Sequence, residues 1–277
     1  MNKIIIGLDV GISTTKIVGF KGKILLSPIR IKATDPISSL YGAFGKFLCD
    51  NKIMLLDIDK VMITGVGAEY VNGTIFDCTT EKVEEYIADA LGASYKSSLE
   101  DMIVVNMGTG TTYIKKSGDE ITHLGGFGIG GGALQGLARV MLKTDDIKEV
   151  SEMSKHGELS KIDLLIGDIS PKPLPNLPID ATASLFAKAQ ANASQEDLAA
   201  GIIHLVLQSI GSGAIFASLN TNIKDIVLIG NLSLLPQCKT VYPELEKLYG
   251  VKFHVQQNSQ FRTAIGAALY AIRKPGN

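Results

Sequence analysis

Apolar residues recur with two different periods along the chain, and the switches between them mark out its elements. Residues 3–9 form a continuous apolar, β-branched run closed by a glycine turn, the pattern of a buried strand. Residues 15–20 read as its hairpin partner, 24–31 as a third strand and 60–64 as a fourth. Between them, Leu40, Phe44, Phe47 and Leu48 fall at helical spacing in 36–50, with Asp35 as a cap before Pro36. Residues 80–95 read as a helix with acidic residues in its first turn. The pattern then starts again. Strands are expected at 102–106, 111–115 and 121–124, and helices at 132–142, 146–155, 181–191 and 195–220. A strand at 225–230, a helix at 235–249, a strand at 251–256 and a helix at 260–273 complete the order. The stretch SPKPLPNLPID carries four of the nine prolines and reads as an ordered surface loop.

One device is used twice. In IGLDVGISTTKIV and VVNMGTGTTYIKK a strand, a small-residue turn and a second strand follow one another. Overlaid, Asp9 matches Asn106, Gly11 matches Gly108, Thr14 and Thr15 match Thr111 and Thr112, and Ile17 matches Ile114. Such a repeat predicts two lobes of related build. The expected lobes are residues 1–98 and 99–277, divided in the polar stretch 95–101.

Turns of glycine and hydroxyl residues can aim backbone N–H groups at an anion, because no Cβ intervenes. Ser13, Thr14, Thr15, Thr109, Thr111 and Thr112 add hydroxyls, and Lys16 adds positive charge beside the first turn. Asp9 can hold a hydrated magnesium ion. Two such turns facing one cleft would hold a polyphosphate from both sides. The alternative for each is an ordinary hairpin turn. GxxxxGK[ST] is absent, so a P-loop is not indicated. A third glycine-rich run, GGFGIGGGALQGL, has seven glycines between Gly125 and Gly136 and leads into an apolar helix, so a ligand can approach that helix N-terminus. Glu81, Glu84 and Glu85 open the 80–95 helix. Each is either a dipole-complementing surface acid or a base that accepts a hydroxyl proton.

Composition narrows the class. With 27 basic and 28 acidic residues the formal net charge is −1, which gives no basic field for nucleic acid. The three cysteines, Cys49, Cys78 and Cys238, lie far apart with no CxxC, so neither zinc nor a disulfide framework is signalled. No run of about 18 uninterrupted apolar residues calls for a membrane, and the expectation is a cytoplasmic protein.

The ordered set DVGISTTK, VEEYIADALG, NMGTGTT, HLGGFGIGGGALQGL, KHGELSKIDLLIGDI, IGNLSLLP and AIGAAL resembles the type II pantothenate kinases, and it spans nearly the whole chain. The resemblance implies the α/β, two-lobed actin/hexokinase-like (ribonuclease H-like) fold, with mixed sheets and flanking helices. It implies MgATP-dependent phosphorylation of pantothenate to 4′-phosphopantothenate, the first step of coenzyme A synthesis, by a homodimer. Carried over by position, Asp9, Val10, Gly11, Ile12, Ser13, Thr14, Thr15 and Lys16 match the first ATP-phosphate segment. Thr109 matches a second ATP contact, and Gly131, Gly132, Ala133, Leu134 and Gln135 match the glycine-rich nucleotide segment. Ile147 and Asn231 fall at further nucleotide contacts. The family's base stands seven residues before a glycine, the spacing of Glu85 and Gly92, which makes Glu85 the base and Glu84 its exposed neighbour. His123, Gly125 and Gly126 fall at the substrate. Two positions depart from the family: Ile12 replaces a glycine, and His123 replaces an arginine that contacts pantothenate. Three alternatives stay open: a related kinase for pantetheine or another alcohol, a dehydratase-activator type ATPase of the same fold, and a nucleotide-binding regulator without catalysis.

Overall fold

The computed structural model describes residues 3–33, 35–170, 172, 175 and 177–273. Its frame is a pair of mixed sheets. The first is built from β1 (Ile4–Val10), β2 (Thr14–Lys21), β3 (Ile24–Leu25), β4 (Ile29–Lys32), β5 (Ile58–Thr64) and β6 (Thr80–Lys82), with α1 (Pro36–Asn51) inserted before β5. Then come α2 (Glu85–Ser94), β7 (Asp101–Met107), β8 (Thr111–Ser117), β9 (Glu120–Phe127), α3 (Gly131–Met141) and α4 (Ile147–Met153). They are followed by β10 (Leu164–Leu165), α5 (Ile166–Ile169), β11 (Thr182–Ser184), α6 (Gln195–Leu219), β12 (Asp225–Ile229), α7 (Cys238–Tyr249), β13 (Lys252–Val255) and α8 (Arg262–Arg273).

The sheets repeat one topology. The first runs β3-β2-β1-β5-β6, with β4 also on β2, and the second runs β13-β12-β7-β8-β9. In each, the opening strand pairs antiparallel with its hairpin partner and parallel with a later strand. The first turn spans Gly11–Thr14 between the pair Val10 and Thr15, while the second spans Gly108–Gly110 between Met107 and Thr111. The second turn is therefore one residue shorter. Thr111 takes the place of Thr15, so the sequence overlay slips by one after the turn.

Alternation along the opening strands sets what each face meets. Ile4, Ile6, Leu8 and Val10 pack with Leu40, Phe44 and Phe47 of α1, whereas Gly7 and Asp9 face the other way. A Cβ on Gly7 would lie 2.0 Å from the Ala264 carbonyl oxygen, so α8 rests directly on β1. In the second sheet Ile103, Val105 and Met107 join the core around α6. Met102 and Val104 pack against Ala90 and Ala93 of α2. The two sheets thus turn Asp9 and Asn106 toward a central helix pair. In that pair a Cβ on Gly92 would stand 1.8 Å from the Arg262 carbonyl oxygen, and one on Gly266 would stand 1.7 Å from that of Ala88. α8, last in the chain, thus packs on the sheet formed by its first residues. α6 is long and apolar enough by length and composition to cross a membrane. In the fold it is the core helix of the second lobe, packed by α3, α4 and α7.

Three expectations are corrected. Residues 24–31 are two strands, because Pro28 interrupts them and the chain moves from one end of β2 to the other. The helix expected from residue 80 starts at Glu85, because Thr80–Lys82 instead pair in parallel with Val61–Ile63 at the open edge of β5. The helix expected at 181–191 is absent. Thr182–Ser184 form β11 against β10, and the Asp163 carboxylate accepts the Phe186 N–H at 2.8 Å, holding the chain in a turn. Pro171, Pro173, Leu174 and Asn176 of the expected proline-rich loop lie outside the described residues.

Candidate active site

The carboxyl ends of β1 and β7 open on one cleft of about 340 Å³, where ligands of α/β sheets commonly sit. The first turn lines it with Gly11, Ile12, Ser13 and Thr14, and the second with Gly108, Thr109, Gly110, Thr111 and Thr112. Across the opening, the Ser13 and Thr109 hydroxyl oxygens are 3.5 Å apart. The parallel partner strand in each repeat, β5 or β12, is followed by a glycine with positive φ, Gly65 at 87° and Gly230 at 91°. A Cβ on Gly65 would lie 2.9 Å from Asp9 Oδ1, and one on Gly230 would lie 2.8 Å from Asn106 Oδ1. Only glycine allows both the φ and the close approach. Neither glycine was singled out by sequence reasoning, although each closes an apolar strand.

The charged floor follows from the registers. Asp9 pairs with Lys16 across β1 and β2, and Lys16 Nζ donates to Asp9 Oδ2 at 2.9 Å with both side chains buried. Glu85, the first residue of α2, borders the cleft beside them. Burial, then the Asp9 charge, pushes its carboxyl up to about 7, against a smaller opposing pull from Lys16. Asn106 Nδ2 lies 3.5 Å from Glu85 Oε1 and donates to both oxygens of Asp89 at 3.0 and 3.1 Å. The Thr263 hydroxyl of α8 donates to Asp89 Oδ1 at 2.7 Å. Burial and the Glu85 charge hold the fully buried Asp89 well above the usual carboxylate range, and the bonds it accepts from Thr263 and Asn106 pull it partly back. A carboxylate with a proton affinity near neutrality, at the edge of this cleft, can accept a hydroxyl proton. Sequence reasoning noted Asn106 only as a repeat partner and missed Asp89. The i, i+4 spacing of Glu85 and Asp89 on one helix was the available signal.

The remaining expected residues divide into two groups. Asn231 lines the cleft and its amide lies 3.4 Å from Thr14 Oγ1. Gly126 also lines it. Thr15 is buried, and among the described residues its hydroxyl has no partner. The Val10 and Leu134 side chains are fully buried in the cores, and Ile147 packs against the core of the second lobe. Gly131 and Gly132 give their N–H groups to the Gly108 and Thr109 carbonyls at 2.8 and 2.9 Å, so this segment braces the second turn. Ala133 is half-buried on α3, and Gln135 donates to the Asp145 carbonyl. His123 and Gly125 stand on β9 outside the cleft lining, with the exposed His123 ring 5.8 Å from that of Tyr86 on α2. Glu84 is exposed.

Among the described residues no three His, Cys, Asp or Glu side chains group as a metal cage. Asp9 fits a hydrated magnesium ion held jointly with phosphates, since such an ion needs only one or two protein carboxylates. Its Oδ2 is shared with Lys16.

A family model described as Fumble, the pantothenate kinase family, matches residues 69–240. A type II pantothenate kinase from Staphylococcus aureus (strain USA300) is 30% identical over 76% of this chain and 82% of its own. The chain belongs to the type II pantothenate kinase family. A second type II pantothenate kinase, from Bacillus cereus (strain G9842), is 26% identical over 97% of this chain and 98% of its own. Kinase activity and nucleotide binding come with this membership. Among solved structures, the activator of the 2-hydroxyisocaproyl-CoA dehydratase from Clostridium difficile, with bound ADPNP, overlays with a TM-score of 0.70. It is 19% identical and covers 98% of this chain and 95% of its own, which establishes the fold as actin/hexokinase-like. In this type II pantothenate kinase family member, Cys49, Cys78 and Cys238 all lie away from the cleft lining.

Proposed function

We propose that this kinase transfers the terminal phosphoryl group of MgATP to the terminal hydroxyl of pantothenate, giving 4′-phosphopantothenate for coenzyme A synthesis. It acts in the cytoplasm as a homodimer, with residues 1–98 and 99–277 as its working lobes. The observation that carries the chemistry is Glu85, a carboxyl raised to about 7 by burial and by Asp9 at a cleft flanked by two matched glycine–hydroxyl turns. The substrate O–H gives its proton to Glu85, the alkoxide oxygen forms the new P–O bond, and the bond to ADP breaks. The two turns hold the phosphates, and Asp9 would hold a magnesium ion that would supply charge neutralisation there. The names of the two curated relatives favour pantothenate over other alcohols.

A coupled ADP-release assay over pantothenate, pantetheine and a panel of small sugars tests this reading. The expected result is pantothenate-dependent ADP release, with a product that carries one added phosphoryl group by mass. ADP release that ignores pantothenate, or that answers only to another alcohol, overturns it.

His123 is the proposed substitute for the family's arginine at the pantothenate. Its ring, on β9, lies 5.8 Å from that of Tyr86, the residue next to Glu85, and this proximity to the base supports the reading. An imidazole makes fewer charge-assisted bonds than a guanidinium. His123→Ala should lower kcat/KM for pantothenate by about 10-fold or more, and His123→Arg should retain activity. Equal kcat/KM in His123→Ala and the wild type would remove His123 from the substrate site.

A further inference from the structure

A row of directly paired residues crosses the first sheet at the level of the cleft. Thr64 on β5 stands opposite Asp9 on β1, Asp9 opposite Lys16 on β2, and Lys16 opposite Arg30 on β4. Residues directly opposite one another share a sheet face. Arg30 therefore rises from the face that carries Asp9 and Lys16. Its guanidinium reaches the second lobe, where Nη1 lies 3.5 Å from Asn231 Oδ1. Asn231 and its partner Thr14 both line the cleft.

The cleft is short of positive charge. Its lining holds two acids, Asp9 and Glu85, and one cation, Lys16, which is already paired with Asp9. A nucleotide polyphosphate brings several more negative charges. Arg30 is exposed, and among the described residues it makes no ion pair. Of its five N–H donors, one reaches Asn231 and the others are open to a planar, bidentate acceptor. With two strand spacings between them, Arg30 stands roughly 10 Å from Asp9 along the row. That separation suits contact with phosphates remote from Glu85, the ones that leave with the diphosphate product.

We propose that Arg30 is a binding residue for the non-transferred phosphates of the nucleotide, reaching from the first lobe to the cleft mouth beside Asn231. This rests on the reading of the cleft as a nucleotide site. Calorimetric titration of the full chain with ADP and, separately, with adenosine tests it. Arg30→Ala should weaken ADP binding by about 10-fold or more and leave adenosine binding as in the wild type, and Arg30→Lys should recover part of the ADP affinity. The exposed side chain leaves the fold intact, so thermal melting of Arg30→Ala should match the wild type. Unchanged ADP affinity in Arg30→Ala overturns the proposal alone. An equal loss for adenosine and ADP also overturns it, because Arg30 would then be an interlobe latch rather than a phosphate ligand. If the wild type binds no ADP, the nucleotide reading itself fails and takes this proposal with it.

Discussion

Glu85→Gln should abolish most turnover while nucleotide binding survives. A positioned base contributes about 10² to 10⁴ in rate, and kcat should fall by that factor with the ADP dissociation constant unchanged. Glu84→Gln, on an exposed side chain one residue earlier, is the control and should be nearly silent. If the two effects are reversed, the base has been placed one residue off. The raised proton affinity of Glu85 adds a pH signature. Its carboxyl must be ionised to accept a proton, so kcat/KM should rise with pH up to about 7 and level off above it. It also adds a stability signature. The folded state holds the Glu85 proton between 4.5, where the carboxyl titrates when unfolded, and about 7. Stability therefore falls as pH rises through that window, and the full cost of the buried charge, about 3 kcal/mol, is present above it. Glu85→Gln removes the charge, so its gain over the wild type in urea denaturation should be small at pH 5 and largest at pH 8. A gain independent of pH would mean that Glu85 carries no raised proton affinity.

Gly266→Ala should be among the most damaging single-methyl substitutions at the described residues. The new Cβ would fall 1.7 Å from the Ala88 carbonyl oxygen and 2.6 Å from the Gly92 nitrogen, both of them backbone atoms that no rotamer change can move aside. α2 and α8 must separate to admit it. α2 is packed on the second sheet and α8 on the first, so the lobes must shift with them. Overpacking of this kind costs about 1–3 kcal/mol in ordinary cores and occasionally more; the backbone clash here points to 3 kcal/mol or above. Turnover should fall as well, because α2 carries Glu85 and α8 carries Thr263, which bonds Asp89. Gly42→Ala is the matched control. Its Cβ meets nothing within 4 Å on the surface of α1, so helix propensity should stabilise the protein by about 0.5–1 kcal/mol. Chemical denaturation of the two variants checks both signs.

The sequence by itself determined the local devices. Buried strands announced themselves as apolar β-branched runs, the two turns as glycine–hydroxyl clusters, and their repetition as two related sheets. Each of these signals is carried by residues close together in the chain, where periodicity and turn chemistry act. The motifs likewise sufficed to identify the family. Where the reading slipped, a partner distant in sequence decided the outcome. Thr80–Lys82 are a strand because β5 offers an open edge, and residues 181–191 are not a helix because Asp163 holds the Phe186 amide. The length difference between the turns was invisible in the overlay because Thr14, Thr15, Thr111 and Thr112 are interchangeable as letters. Only the tertiary structure decided the site's electrostatics. Glu85 looks like any first-turn acid until burial and Asp9 raise it, and Asp89 looks like a surface acid until α8, folding back from the far end of the chain, seals it beneath Thr263. Proton affinity depends on desolvation and on charges brought close in space, and both are fixed by packing between segments distant in the chain, 174 residues apart in the case of Thr263 and Asp89.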